Sequence, residues 1–151
     1  GAVVGQNLGA GKPDRAKKST RVTVFMIEAI ILVMGTIYFV FSPELISAFN
    51  DAADVVRIGA PALRIVILGY PFMGLAIVLI RAINGAGQTL VPATLYALSL
   101  FLVRVPLAYF LSRTGIGARG VFVAIAGSEV VIASMALIYF LRGSWMEKQV
   151  D

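Results

Sequence analysis

Cysteine and histidine are both missing from this 151-residue sequence, and charge is scarce. Without cysteine there is no disulfide framework and no thiolate ligand; without histidine the commonest general base and metal ligand is gone. Asp, Glu, Lys and Arg make up only 14% of the residues, where a soluble domain carries about a quarter. Apolar residues make up 59%, and the mean hydropathy is +0.90. That balance excludes a soluble globular domain, a disordered tail and a secreted disulfide scaffold. What remains is an integral membrane protein. The 13 basic against 8 acidic residues do not argue for a nucleic-acid partner, because the surplus sits at the ends of apolar segments instead of on a basic face. Gly1 in place of Met, and Val3-Val4 reading as the tail of an apolar run, predict a fragment of something longer with no visible signal peptide.

A bilayer core requires about 20 apolar residues per helix. Four segments meet that length: 22–41, 60–80, 91–111 and 120–141, each with a single charge (Glu28, Arg64, Arg104 and Glu129). Membrane strands would be about half as long and alternate with period two, so helices, and an all-α integral membrane fold with four transmembrane helices, are predicted. Residues 1–21 read as a cytoplasmic glycine turn and basic segment, and 22–151 as a partial transmembrane lobe. Ser42-Pro43-Glu44 closes the first span, and Asn50-Asp51 breaks the chain before an amphipathic stretch at 52–59. Gly-rich turns separate the remaining spans. Orientation follows from the basic residues. Lys12, Arg15, Lys17, Lys18, Arg21, Arg81, Arg142 and Lys148 fall on one side, and Arg57, Arg113 and Arg119 on the other. Both ends of the chain are therefore expected in the cytoplasm, in the inner (plasma) membrane.

Two motifs imitate nucleotide chemistry and fail on inspection. Gly9-Ala10-Gly11-Lys12 lacks the upstream Gly of a phosphate-binding loop (Gln6 stands there) and has Pro13 where Ser or Thr would hold the metal. Gly115-Ile116-Gly117-Ala118-Arg119-Gly120 fits a dinucleotide fingerprint by letter, but a membrane span precedes it where a strand belongs. Asp51 and Asp54 lie in an outer loop and read as a solvated helix cap. No catalytic residue and no metal ligand set is expected.

Charges inside a span are functional candidates by default. Arg104 lies roughly 10 Å below the outer face and Glu129 roughly 13 Å below it at 1.5 Å per residue, so they are level and predicted to pair across adjacent helices. Such a pair either fixes two helices together or serves a transport cavity. Glu28, roughly 9 Å from the inner face, has no level cation in the sequence. Arg64 can snorkel to the headgroups. In Gly69-Tyr70-Pro71-Phe72-Met73-Gly74 the proline predicts a kink or local break, and Tyr70 adds a π face for a lipophilic cation. Tyr70, Pro71, Met73 and Glu28 are the substrate-cavity or gating candidates. Gly120, Ala124 and Ser128 form a small-residue seam for close helix contact.

Two glycine turns echo each other: Gly5-Gln6-Asn7-Leu8-Gly9-Ala10-Gly11-Lys12-Pro13, and Ile83-Asn84-Gly85-Ala86-Gly87-Gln88-Thr89 followed by Pro92. On these turns, with Ala16 and Leu63-Arg64-Ile65, the chain resembles the MATE family of multidrug and toxic compound extrusion transporters over essentially its whole length. The resemblance implies helices nine to twelve of a twelve-helix, two-lobe antiporter that exports lipophilic or cationic compounds in exchange for sodium or protons. The partners it implies are the bilayer, a missing N-terminal lobe with helices seven and eight, and a small-molecule substrate, with no cofactor. NorM-like members carry an acid in the tenth helix. The corresponding positions here, near Phe72-Met73-Gly74, hold none, so a DinF-like pattern is implied, with the coupling ion's site outside this chain. A lipid-linked saccharide flippase of the same superfamily, kept open by Arg64 and Arg104, and a non-transporting membrane scaffold are the alternatives.

Overall fold

The computed structural model describes residues 1–146. Its elements in chain order are α1 (Ala2–Gly9), α2 (Pro13–Val40), α3 (Ser42–Phe49), α4 (Ala53–Gly85), α5 (Leu90–Leu98), a π-helical segment (Ser99–Arg104), α6 (Val105–Ser112), α7 (Arg119–Arg142) and a final 3-10 turn (Ser144–Met146). No strand occurs among the described residues. Four helical stretches are long and apolar enough to cross a bilayer: α2, α4, α5 through α6, and α7. Large apolar side chains point outward along them, such as Phe25 at 76%, Phe101 at 66% and Phe110 at 67% exposure, as a lipid-facing surface requires. Lys148, one of the residues used for orientation, lies outside the described residues.

The helices extend beyond the apolar runs. Pro13 opens α2 at its first turn, where a missing N–H costs nothing, so the basic residues from Arg15 to Arg21 are continuous with the first spanning helix. Ser42-Pro43-Glu44 opens α3 instead of a loop. The Ala52 N–H donates to Asn50 Oδ1 at 2.9 Å, a side-chain turn that starts α4 at Ala53 and absorbs the stretch expected to be separate. Asp54 then sits in the first turn of α4 and pairs with Arg57 at 3.1 Å.

Proline acts where the sequence reading did not place it. Helix α4 runs unbroken through Pro61 and Pro71 for 33 residues; of the kink or local break expected at Pro71, the break does not occur. The irregularity is instead in the third span. Pro106 has no N–H for the carbonyl of Leu102, four residues back. The preceding turn widens, and the Val105 N–H donates to the Leu100 carbonyl, five residues back. A π-turn of this kind absorbs one extra residue without ending the helix.

The two echoing turns share one geometry. The Lys12 N–H donates to Asn7 C=O at 2.8 Å, and the Gln88 N–H donates to Ile83 C=O at 3.3 Å. Gly11 and Gly87, at φ +66° and +82°, supply the left-handed residue that such helix ends require. The ends of α1 and α4 also touch: a Cβ on Gly5 would stand 2.8 Å from the Gly85 carbonyl oxygen. The buried core gathers at this end, where Ala16, Ile83, Ala136 and Trp145 are fully enclosed.

Candidate functional site

The site is built on α4, the π segment and α7. Gly69 on α4 lets that helix lie against α7, since a Cβ there would come 3.0 Å from Ala126 Cα. On another face of α7, Gly120, Ala124 and Ser128 are all buried, and Gly120 abuts the end of α6 at Leu111. The small-residue seam is thus the track along which the third span packs.

On that track lies a polar network at bilayer depth. Arg104, the last residue of the π segment, forms an ion pair between its Nη2 and Glu129 Oε1. Its Nε donates to Ser128 Oγ at 2.7 Å. Ser128 Oγ donates in turn to the Ile125 carbonyl at 2.7 Å, and Ser99 Oγ donates to the Ser128 carbonyl at 3.1 Å. Ser99 and Ser128 are buried, so every hydroxyl here has a partner, as a low-dielectric interior demands. Counting depth along the spans identifies Arg104 and Glu129. It does not identify Ser99 or the polar role of Ser128, which the sequence places only on a packing seam; both need the helix faces to be known. Pro106 is the sequence signal that could have revealed the π segment.

The ion pair borders a cavity of about 330 Å³ lined by Met73 and Ile77 of α4, Tyr96 and Leu100 of the third span, and Ile132 of α7. Its size falls at the lower end of small-molecule sites, and its mostly apolar wall with a few polar groups matches their usual character. Of the candidates on α4, Met73 lines this cavity, while Pro71 lines a separate groove of about 260 Å³ against α2, with Ile31, Gly35 and Phe39. Tyr70 is half-buried one residue before Pro71.

Glu28 sits where α2 meets α4. A Cβ on Gly74 would lie 3.0 Å from Glu28 Oε1 and 2.3 Å from Ile31 Cδ1, so Gly74 makes room for the carboxylate. Glu28 Oε1 is buried without a hydrogen-bond partner among the described residues. Arg64 also has protein partners: its Nε donates to the Phe39 carbonyl at 3.0 Å, and its guanidinium lies 5.5 Å from the Phe39 ring centroid. It thereby shares with Ser42 Oγ, which donates at 2.9 Å, a carbonyl at the C-terminal end of α2. Replacing Arg64 with Met, which keeps most of the stem, is expected to cost about 1 kcal/mol of stability, measurable by unfolding in detergent; an unchanged midpoint would mean the contact contributes nothing.

A second site escaped the sequence reading altogether. Gln88, in the second glycine turn, donates from Nε2 to the Ser144 carbonyl at 3.2 Å and accepts from the Tyr139 hydroxyl at its Oε1. Trp145 folds back over the end of α7, stacking on Phe140 with ring centroids 4.7 Å apart and donating from Nε1 to the Phe140 carbonyl at 2.8 Å. The turn after α4 and the segment after α7 are therefore tied together at the end expected to be cytoplasmic.

Known proteins resemble the chain along nearly all of its length. It is 29% identical to the probable multidrug resistance protein YoeA of Bacillus subtilis, over 96% of this chain and 31% of that protein. It is 23% identical to the probable multidrug resistance protein NorM of Thermotoga maritima, over 98% of this chain and 32% of that one. With multidrug and toxin extrusion protein 1 of Rattus norvegicus the identity is 26%, over 94% of this chain and 25% of that one. The chain thus spans about a third or less of the length of these relatives. No solved structure matches it significantly. The family model described as MatE matches residues 1–110, from the first glycine turn through the ion-paired π segment, and four bilayer-length helices complete the agreement: the chain is a multi-pass membrane protein of the MatE family.

Proposed function

We propose that this chain forms helices nine to twelve of a multidrug efflux antiporter, which exports lipophilic or cationic compounds in exchange for sodium or protons by alternating access. The observation that carries the reading is the cavity at bilayer depth beside Arg104 and Glu129, walled by Tyr96 and Met73, in a chain of this family. The multidrug names of the relatives support it. An N-terminal lobe and helices seven and eight would complete the transporter in the plasma membrane, with both ends of this segment cytoplasmic.

Coupling belongs elsewhere in that machine. Helix α4 holds no Asp or Glu between Val55 and Gly85, which supports a DinF-like arrangement with the coupling ion bound in the other lobe. Glu28, facing Gly74 at the seam of α2 and α4, acts in this reading as a gating group where two spans slide. A flippase for lipid-linked saccharides would want free guanidinium groups for phosphate. Arg64 is engaged with Phe39, and the cavity beside Arg104 also carries the Glu129 carboxylate, which would repel a phosphate; both favour drug export.

Cells expressing the complete transporter are expected to accumulate less ethidium than control cells, and to lose that protection when the sodium and proton gradients are both collapsed. Accumulation that does not change on expression would refute efflux. Export that persists without either gradient would refute antiport.

A further inference from the structure

The inference drawn here rests on the efflux reading and concerns how its cavity recognises charge. Glu129 is the carboxylate that lines the cavity, and a cation of the protein's own already holds it. We propose that Arg104 is an exchangeable internal counter-cation: it occupies Glu129 before cargo enters and yields that carboxylate to the cationic group of an entering lipophilic organic cation.

Three features distinguish this arrangement from a fixed brace. The pair is reachable, because the side chains of Arg104 and Glu129 are 33% and 17% exposed and both border the cavity. A cation in the cavity can therefore approach Glu129 without unpacking the helices. Arg104 also has somewhere to stay. Its Nε is separately bound to Ser128 Oγ, so giving up Glu129 leaves the guanidinium anchored, and the five donors of its fork allow it to hold more than one partner at a time. Finally, Arg104 ends a π segment. Relaxing that widened turn to an α turn would shift the residue by one helical position, about 100° around the axis and about 1.5 Å along it. This is a discrete second placement for the guanidinium, in a helix that need not break. Tyr96 supplies a π face and Met73 a polarisable thioether to the apolar body of the cargo.

In this scheme Arg104 is a positioning and specificity residue that competes with cargo. Cargo affinity is lowered by the fraction of time Glu129 is held internally, and neutral compounds gain nothing from the exchange. A fixed ion pair makes the opposite prediction, since each partner would then be needed equally.

The test is equilibrium binding of ethidium to the purified complete transporter, comparing wild type, Arg104→Gln, Glu129→Gln and the double variant. Arg104→Gln is expected to bind about tenfold more tightly than wild type, and ethidium should raise its unfolding temperature by more than it raises that of wild type. Glu129→Gln and the double variant should both bind at least about tenfold more weakly. If Arg104→Gln does not fold, Arg104→Lys replaces it; its point charge holds a carboxylate less rigidly than the fork does, so tighter binding than wild type is again expected. Unchanged or weaker binding in the Arg104 variant that folds overturns the exchange while leaving the efflux reading intact, as does a double variant that binds like wild type. Wild-type protein that neither binds nor exports ethidium overturns the efflux reading and this inference with it.

Discussion

Trp145→Ala is expected to lower the unfolding free energy by about 3–5 kcal/mol, the range for truncating a large buried aromatic. Trp145 has no exposed surface although it lies beyond the last spanning helix. Gly143, at φ +80°, reverses the chain after α7, and the indole then stacks on Phe140 while its N–H satisfies the Phe140 carbonyl. That carbonyl is one of the last four of α7, which have no partner within the helix. Truncation would therefore remove apolar packing, take away one of the two donors to the Phe140 carbonyl, which also accepts the Gly143 N–H at 3.2 Å, and open a void in the core that also holds Ile83 and Ala136. Trp145→Phe should cost markedly less, because it keeps the stacking and loses the hydrogen bond and part of the volume. Denaturant or thermal unfolding in detergent provides the measurement. A loss below about 1 kcal/mol for the alanine variant would mean that the core at this end does not depend on the indole.

Trp145 lies past the end of a spanning helix, and it is at helix ends that the sequence was least legible. A run of about 20 apolar residues has few options in a bilayer, since every backbone group must be bonded internally, so four spans follow from hydropathy alone. Their ends do not. Residues 13–21 are polar, which removes them from an apolar window, yet Lys, Arg and Ala are good helix formers, and α2 begins at Pro13. Pro71 predicts a kink or a local break, and α4 continues through it without a break, while Pro106 lies beside the only π segment among the described residues. A proline does not state from its sequence context whether the lost bond will be absorbed by a neighbouring helix, a wider turn or a break.

For the candidate site the same division holds. Residue counting places 104 and 129 at one depth because helices climb a fixed distance per residue. The structure joins them, brings Ser128 of the small-residue seam to Arg104, and adds Ser99, Tyr96 and the cavity, which depend on how α5, the π segment and α7 are rotated about their axes. Gln88 gave no signal, since a lone glutamine in a glycine turn is unremarkable until Tyr139 and Ser144 are brought to it from more than fifty residues away.

Rotation and spacing of the third and fourth spans are set where they come closest, and this leads to the second large effect. Gly120→Val is expected to destabilise the protein by about 1–3 kcal/mol, the usual cost of overpacking a tight contact, and to abolish ethidium export in the complete transporter. A Cβ at Gly120 would stand 2.5 Å from the Leu111 carbonyl carbon and 2.7 Å from its oxygen. These are backbone atoms that no rotamer change can move, so α6 or α7 must shift bodily. Nine residues farther along α7 is Glu129, and seven residues before Leu111 is Arg104; a displaced helix end tilts the two spans apart where the ion pair needs them in contact. Gly120→Ala imposes the same Cβ clash without the branched methyls and should fall between wild type and Val in both stability and export. Gly115→Ala, with nothing within 4 Å of the added carbon, serves as the loop control and should leave export unchanged. If Gly120→Val exports as well as wild type, the close approach at Leu111 does not govern the geometry of the Arg104–Glu129 pair. If Gly120→Val and Gly115→Ala lose export alike, the cause lies in the loop and not in helix spacing.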